Sequence, residues 1–348
     1  MRMDGGNPVS DTAEATVPTV QALFVGTVFL DIVLAGMPRL PRPGAEEWAD
    51  ERAVSVGGIA NTAVAAARLG ATSALVSTLG ADDFSGIALK QLRAEPLLDL
   101  SNVTIQAERE IPLTVVVPMA GERMFLSHGS LAQPAPYAPD VRARTMFVAL
   151  NDGMPTWVGK FRDAGTLVVA GVGWDEDPAW PRQVRGYLDT VDVLVLNAAE
   201  ARHLTGEQDL ETAARQLASP TRSVVVTCGP HGAIAVGNSA AATIHVRAPA
   251  VAAKDTTGAG DVLIGALMAA TSIGETLEDS LAFAVTAAAD ATTRLGGARA
   301  APDLSQLLER ASTASGASLS AARIAQRLRA PKTSPLATTS ALTEESHP

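Results

Sequence analysis

Asp255-Thr256-Thr257-Gly258-Ala259-Gly260-Asp261, running straight on into VLIGALMAAT (262–271), is the stretch on which the fold turns. Small residues precede an aspartate, and an uninterrupted Ala-rich helix starts there. Small side chains let the backbone N–H groups at a helix start approach a ligand closely. Those amides, with the positive end of the helix dipole, make an anion site. A carboxylate in that position would ordinarily repel a phosphate, yet it is what a general base needs when a hydroxyl attacks a phosphoryl group. The segment alone leaves a second reading open, in which Asp261 is only a favourable acid in the first helical turn.

On either side of this stretch, short apolar runs alternate with helical patterns. ALFVGTVFLDIVL (22–34) reads as one strand, NTAVAAARLG (61–70) as a helix ended by Gly70, and TSALVSTLG (72–80) as a strand. TMFVAL, TLVVAG, DVLVLN, SVVVTCG and GAIAVG follow, with helical stretches between most of them. Continuous Val/Ile/Leu runs of this kind mark buried parallel strands. The alternation predicts an α/β fold, a doubly wound parallel sheet flanked by helices. Two segments break the rhythm. Residues 33–56 hold Pro38, Pro41 and Pro43 and then a run alternating like a strand with one exposed face, and residues 111–128 read as a hairpin turning at Ala120-Gly121-Glu122. Extended pieces inserted at two places predict a small β-sheet lid outside the main sheet. Residues 1–18 read as a disordered N-terminus, 19–310 as one domain carrying the lid, and 311–348 as a C-terminal helix and flexible tail.

Composition removes several classes. Of 348 residues, 27 are Lys or Arg and 37 Asp or Glu, a formal net charge of −10. This argues against a nucleic-acid binder, whose phosphate contacts need a basic surface. A hydrophobic share of 47% with 18% charged residues is too apolar for a disordered chain. The lone Cys228 excludes an internal disulfide framework and a multi-Cys zinc site. Val20 to Gly36 is interrupted by Asp31 and falls short of the roughly 20 residues a spanning helix needs. The N-terminus lacks the apolar region of a secretory signal. The expectation is a cytoplasmic protein with no membrane or nucleic-acid partner.

DTTGAGDVLIGALM resembles the C-terminal signature of the ribokinase-like (PfkB) carbohydrate kinase family, with every small-residue position filled. Gly57-Gly58-Ile59-Ala60-Asn61-Thr62-Ala63, followed by Gly70 and Gly80, is similar in spacing to that family's first signature; Ile59 departs from it, where the family usually carries a small residue. The resemblance covers roughly residues 20–310. It implies ATP-dependent phosphoryl transfer to a hydroxyl of a small polyol. Asp261 is then the general base, the amides of Gly258, Ala259 and Gly260 stabilise developing charge, Mg²⁺ bridges the phosphates and the lid excludes water.

The resemblance carries over to further residues. Asp31 matches the aspartate that grips substrate hydroxyls, and a carboxylate accepting from two neighbouring hydroxyls is a natural reader of a sugar edge. Asn61 donates and accepts beside it, so Asp31, Gly57, Gly58, Asn61 and Asp261 form the implied substrate site. The alternatives are a turn cap for Asp31 and a helix cap for Asn61. Asn197 and Glu200 match an Asn-x-x-Glu motif that helps hold Mg²⁺ and phosphate, often through water; one carboxylate is adequate for an ion that keeps several waters. Thr227-Cys228-Gly229-Pro230-His231-Gly232 resembles a Thr-x-Gly-x-x-Gly turn near the nucleotide phosphates, with an ordinary Gly-Pro β-turn as the alternative. Asp255 matches a position that in many relatives helps bind a monovalent cation, here K⁺, with carbonyls from around Ala291–Ala300. Gly171-Val172-Gly173-Trp174 departs from relatives, which often place Asp or Asn with Pro there.

GGIAN carries no cation, whereas related kinases of sugar phosphates commonly bring a Lys into that motif. The expected acceptor is therefore an unphosphorylated sugar, with a nucleoside such as adenosine next. Trp48, in the first lid segment, would stack on a base or pack the lid. Cys228 reads as a small buried filler, and His128, at the end of the hairpin, as a residue that packs there or faces the substrate. A dinucleotide-dependent dehydrogenase would need GxGxxG after the first strand, which FVGTVFLD lacks, and no GxxxxGK[ST] is present. A non-catalytic sugar- or nucleoside-binding relative is the third class, against which Asp261 and the intact GAG argue. An exposed lid edge is a liability that pairing relieves, so a homodimer through the lid is expected.

Overall fold

The apolar run 22–34 folds as two strands in two different sheets, β1 (Thr19–Val25) and β2 (Val28–Ala35). The chain turns at Gly26–Thr27. A Cβ on Gly26 would meet the Asp152 carboxylate at 3.1 Å, and that carboxylate accepts from the Thr27 N–H at 2.6 Å and its hydroxyl at 2.9 Å. Both halves are apolar and buried, so their pattern shows no boundary. The first lid segment therefore begins at Val28 rather than near residue 33, and Asp31 lies within a lid strand.

The computed structural model describes residues 17–119, 122–131, 135–173, 177–219, 221–237, 243–311 and 317–329. Most of the N-terminal segment, the tail from Ala330, Trp174 and the Ala120–Gly121 turn lie outside the described residues. The remaining strands are β3 (Glu51–Gly58), β4 (Ser73–Gly80), β5 (Leu98–Asp99), β6 (Val103–Gln106), β7 (Leu113–Met119), β8 (Glu122–His128), β9 (Arg142–Ala149), β10 (Leu167–Gly171), β11 (Val193–Asn197), β12 (Ser223–Thr227), β13 (Ala233–Gly237) and β14 (Ile244–Val246). The helices are α1 (Ile59–Arg68), α2 (Asp83–Arg93), α3 (Val158–Asp163), α4 (Trp180–Arg185), α5 (Ala198–Thr205), α6 (Leu210–Leu217), α7 (Ala259–Ser272), α8 (Leu277–Ala291), α9 (Gly297–Ala300), α10 (Leu304–Ala311) and α11 (Ala317–Arg329).

The main sheet has ten strands in the order β14-β13-β12-β11-β10-β9-β1-β4-β5, with β6 also paired to β4. From β12 to β4 the neighbours are parallel. β13 and β14 are antiparallel, which corrects the all-parallel reading of GAIAVG. Only residues 228–232 join β12 to β13, too few for the crossover a parallel return needs. Successive residues of β1 feed two cores: Phe24 packs with α1, α7 and α8, while Leu23 joins Met146, Leu194 and the apolar faces of α5 and α6. This is the doubly wound arrangement. α11 packs on α8, burying Ile324 and Leu328.

The second sheet has the order β3-β2-β7-β8. Its pairs are antiparallel except β2–β7. Val33, Ala53 and Val116, with Leu295 packed against them, form its small core. No helix among the described residues is long and apolar enough to cross a membrane.

Candidate active site

The start of α7 lies in reach of both sheets. Gly258 caps the helix at φ +73°, a left-handed conformation that suits glycine, and a Cβ there would come 2.9 Å from the Gly297 Cα. The first intrahelical bond runs from the Val262 N–H to the Gly258 carbonyl at 2.9 Å, and the Ala259 N–H closes on the Thr256 carbonyl at 3.3 Å. The N–H groups of Gly258, Gly260 and Asp261 have no acceptor among the described residues. The unpaired amides are thus not those of Gly258, Ala259 and Gly260, because Ala259 spends its own on the turn. A Cβ on Gly260 would meet nothing within 4 Å, so its smallness answers to open space rather than to protein packing. Unpaired amides at a helix start are a ready anion cradle.

One turn further on, Gly265 sets the position of Asp261. A Cβ there would strike the Thr62 carbonyl at 2.6 Å and the Ala65 Cβ at 2.9 Å, so α1 and α7 touch backbone to backbone. This contact brings Asn61 Nδ2 to within 3.0 Å of Asp261 Oδ2, to which it donates. Asn61 Oδ1 accepts from the Ala298 N–H at 2.7 Å. Asn61 is therefore buried inside the first turn of α1 and is not its cap; Gly58 holds that place at φ +59°. Desolvation pushes the Asp261 carboxyl up to about 6, against the lowering hydrogen bonds of Asn61 and Thr62 and the Arg123 charge.

Asp31 sits within β2, opposite Ser55 on β3 and Thr114 on β7. It is buried and accepts no hydrogen bond from the described residues. A mid-strand position leaves no turn for it to cap. Gly57 makes room for it: a Cβ there would lie 2.2 Å from Asp31 Oδ2. Burial and the nearby Asp261 charge raise the Asp31 carboxyl to about 7. Arg123, on β8, donates from Nη1 to the Thr256 carbonyl at 3.2 Å.

The carboxyl ends of the parallel strands supply the rest, where open α/β sheets bind ligands. Asn197 ends β11 beside Thr227 on β12. Asn197 Oδ1 accepts from the Glu200 N–H at 2.9 Å and Glu200 Oε2 from the Asn197 N–H at 2.8 Å. This capping box starts α5. Glu200 is buried, and desolvation, with the Asp261 charge assisting, raises its carboxyl to about 7. Gly229 and Gly232 turn the chain at φ +56° and +95°, and a Cβ on Gly232 would strike the Val246 carbonyl. Cys228 is only half-buried, not the buried filler expected, and what burial it has raises its thiol. Asp255 is buried, accepting from Thr257 N–H at 2.8 Å and Gly296 N–H at 3.0 Å, so it ties the α7 loop to the loop after α8. His128 is exposed with Glu110 3.7 Å away, and Trp48 is 77% exposed and does not pack the lid.

Arg123, Asp152, Gly265 and Gly297 escaped the sequence reading. The Gly296–Gly297 doublet was a visible signal, since a Cβ on Gly297 would lie 2.9 Å from Asn61 Oδ1; nothing local distinguishes Arg123 or Asp152 from other surface residues.

Comparison with known proteins gives the family and the fold. The description "pfkB family carbohydrate kinase" matches residues 43–136 and 173–304, and the chain belongs to that family of carbohydrate kinases. Mouse ribokinase is 27% identical over 281 residues, 75% of this chain and 83% of its own length. A Klebsiella pneumoniae fructokinase is 29% identical over 275 residues, 71% of this chain and 88% of its own. The structure of Arabidopsis thaliana ribokinase complexed with ribose and ATP superposes with a TM-score of 0.68 at 23% identity, covering 88% of this chain and 99% of that one.

Proposed function

We propose that the chain transfers the γ-phosphoryl group of ATP to a hydroxyl of a small unphosphorylated sugar. The observation that carries this is the meeting of Asp261, unpaired α7 amides and the unpartnered Asp31 carboxylate of the lid. Asp31 takes up acceptor hydroxyls, and Asn61 holds the Asp261 carboxylate in line. The acceptor oxygen bonds to the γ-phosphorus as its proton passes to Asp261; the bond to the β–γ bridging oxygen breaks, and ADP leaves with that electron pair. The amides of Gly258, Gly260 and Asp261 stabilise charge on the transferred group. Thr227, Gly229 and Gly232 border the nucleotide phosphates.

A buried carboxylate raised to about 7 beside a second one suits a divalent cation, so Glu200, with Asn197, would hold Mg²⁺ through water. That ion supplies neutralisation of the triphosphate charge. The buried Thr257 hydroxyl has no partner among the described residues and neighbours Asp255, an oxygen-rich corner that suits K⁺.

No cation in GGIAN and an unpaired carboxylate at Asp31 favour a neutral polyhydroxyl acceptor. The names of the relatives, ribokinase and fructokinase, point the same way. A nucleoside acceptor is the second reading, favoured by the exposed Trp48 near the lid. Phe125 and Leu126, exposed on the edge strand β8, suit pairing of two lids in a homodimer. ADP release from Mg²⁺-ATP across free sugars, sugar phosphates and nucleosides, with and without K⁺, tests the reading. Turnover of a free sugar is expected; turnover confined to sugar phosphates or nucleosides overturns the acceptor, and silence with no thermal stabilisation by any acceptor overturns the substrate site.

A further inference from the structure

We infer that Arg123 is the lid's own contribution to phosphoryl transfer: a cation on β8 that lies against the amide cradle when the lid is down and takes the negative charge of the transferring group. The inference rests on the kinase reading above and adds a group that neither family signature contains. Arg123 stands next to the hairpin turn, opposite Pro118 on β7, and reaches out of the lid sheet to the Thr256 carbonyl at 3.2 Å. Thr256 is two residues before Gly258, so the guanidinium is at the mouth of the cradle. Its Cζ stands over the Phe125 ring, 5.8 Å from the centroid, a contact that holds the group without using its donors. A guanidinium has five N–H donors in a fixed fork. Its one hydrogen bond among the described residues, to a neutral carbonyl, leaves most of that fork for an anion.

Charge balance explains why a cation is needed there. The Asp261 charge is felt at both Asp31 and Glu200, and a triphosphate would add several more negative charges. The cradle offers only amide dipoles, and GGIAN brings no cation. Arg123 is the cation whose charge is felt at Asp261. Because it is carried on the lid, its charge arrives only with closure, so an open site with bound ATP lacks it. An arginine supplied in this way disfavours transfer to water before the acceptor is enclosed.

The test compares wild type with Arg123→Ala and Arg123→Lys. The readouts are steady-state kinetics with the best acceptor and melting shifts with Mg²⁺-ADP alone and with Mg²⁺-ADP, fluoroaluminate and acceptor together. Arg123→Ala should lower kcat about 100-fold, the scale of one lost charge-stabilising donor, with the acceptor KM within about threefold. It should keep the ADP shift and lose the extra shift that fluoroaluminate brings. Arg123→Lys should recover part of both losses, and added guanidinium part of the rate. Wild-type kcat in Arg123→Ala would overturn the role, as would a defect confined to acceptor KM, which would make Arg123 a reader of the acceptor. A wild-type chain with neither turnover nor a fluoroaluminate shift would overturn the phosphoryl-transfer reading and this role together.

Discussion

The main sheet, whose strands run from two to eight residues, and the lid, whose strands have seven or eight, differ in what covers them. Leu23 and Phe24, adjacent on β1, are each fully buried in a different core. The lid has Val33, Ala53 and Val116 for a core, and leaves Phe125 58% and Leu126 75% exposed. Apolar burial is the dominant favourable term in folding, and local stability follows it. The lid is therefore the part that can move while the sheet persists. The division has a chemical counterpart. Asp261 and the amide cradle stand on α7, locked to α1 by the Gly265 contact, while Asp31 and Arg123 stand on the lid. On the proposed function, the base and cradle stand on the rigid side, and the groups proposed to meet the acceptor and the added charge stand on the lid.

The largest expected effect is on the rigid side. Asp261→Asn should cut kcat by about 10²–10⁴-fold while the melting temperature holds or rises, because an amide replaces a desolvated carboxylate. Turnover near wild type would move the base elsewhere.

A smaller effect probes the difference in cover directly. Leu194→Ala should cost about 2–5 kcal/mol of global stability, measured by denaturant titration. Val116→Ala in the lid should cost less than about 1 kcal/mol globally, because the lid opens before the sheet unfolds. Its mark should be faster amide exchange in β2, β3 and β7 and a raised acceptor KM. Equal global losses would mean that lid and sheet unfold as one unit, and the distinction would fall.

Acidity gives the finest resolution. With Asp261 near 6, kcat/KM should fall about tenfold per unit below that pH, since a protonated carboxyl accepts no proton; a flat profile down to pH 5 would exclude Asp261 as the titrating base. Stability should move the other way. Asp31 and Glu200 are raised in the fold from 3.8 and 4.5 to about 7, so the folded state holds their protons more tightly. Their contribution is fully present below about pH 4 and lost as pH rises through 7. Asp31→Asn should flatten the fall in melting temperature between pH 5 and 8 for the ligand-free protein, and an unchanged slope would mean that Asp31 is not raised.

Much of this was open to reading along the chain. Buried parallel strands declare themselves as Val and Leu runs, a helix start as small residues before an acid, and a lid as extended pieces where helices should be. Gly57 and Gly58 stood out through the spacing of a family signature and Gly258 as a small residue before the helix; the structure adds the close approach at Gly57 and the positive φ at Gly58 and Gly258. What stayed hidden depends on partners distant in sequence. The break at Gly26–Thr27 needs Asp152; the pairing of Asn197 with Glu200 as a capping box competes with the metal reading of the same two residues; and Ala259 differs from Gly260 only in which carbonyl its N–H meets.

Local backbone preference and hydrophobic period, both properties of neighbouring residues, thus determined the α/β class and the lid's existence, while the signature glycines were read from the family resemblance. Tertiary structure alone decided that Asp31, Glu200 and Asp261 are each desolvated, that the Asp261 charge reaches the other two, and that Arg123 stands near Asp261. The physical reason is that charge interaction and desolvation depend on distance and burial in space, which the order of residues along the chain does not encode.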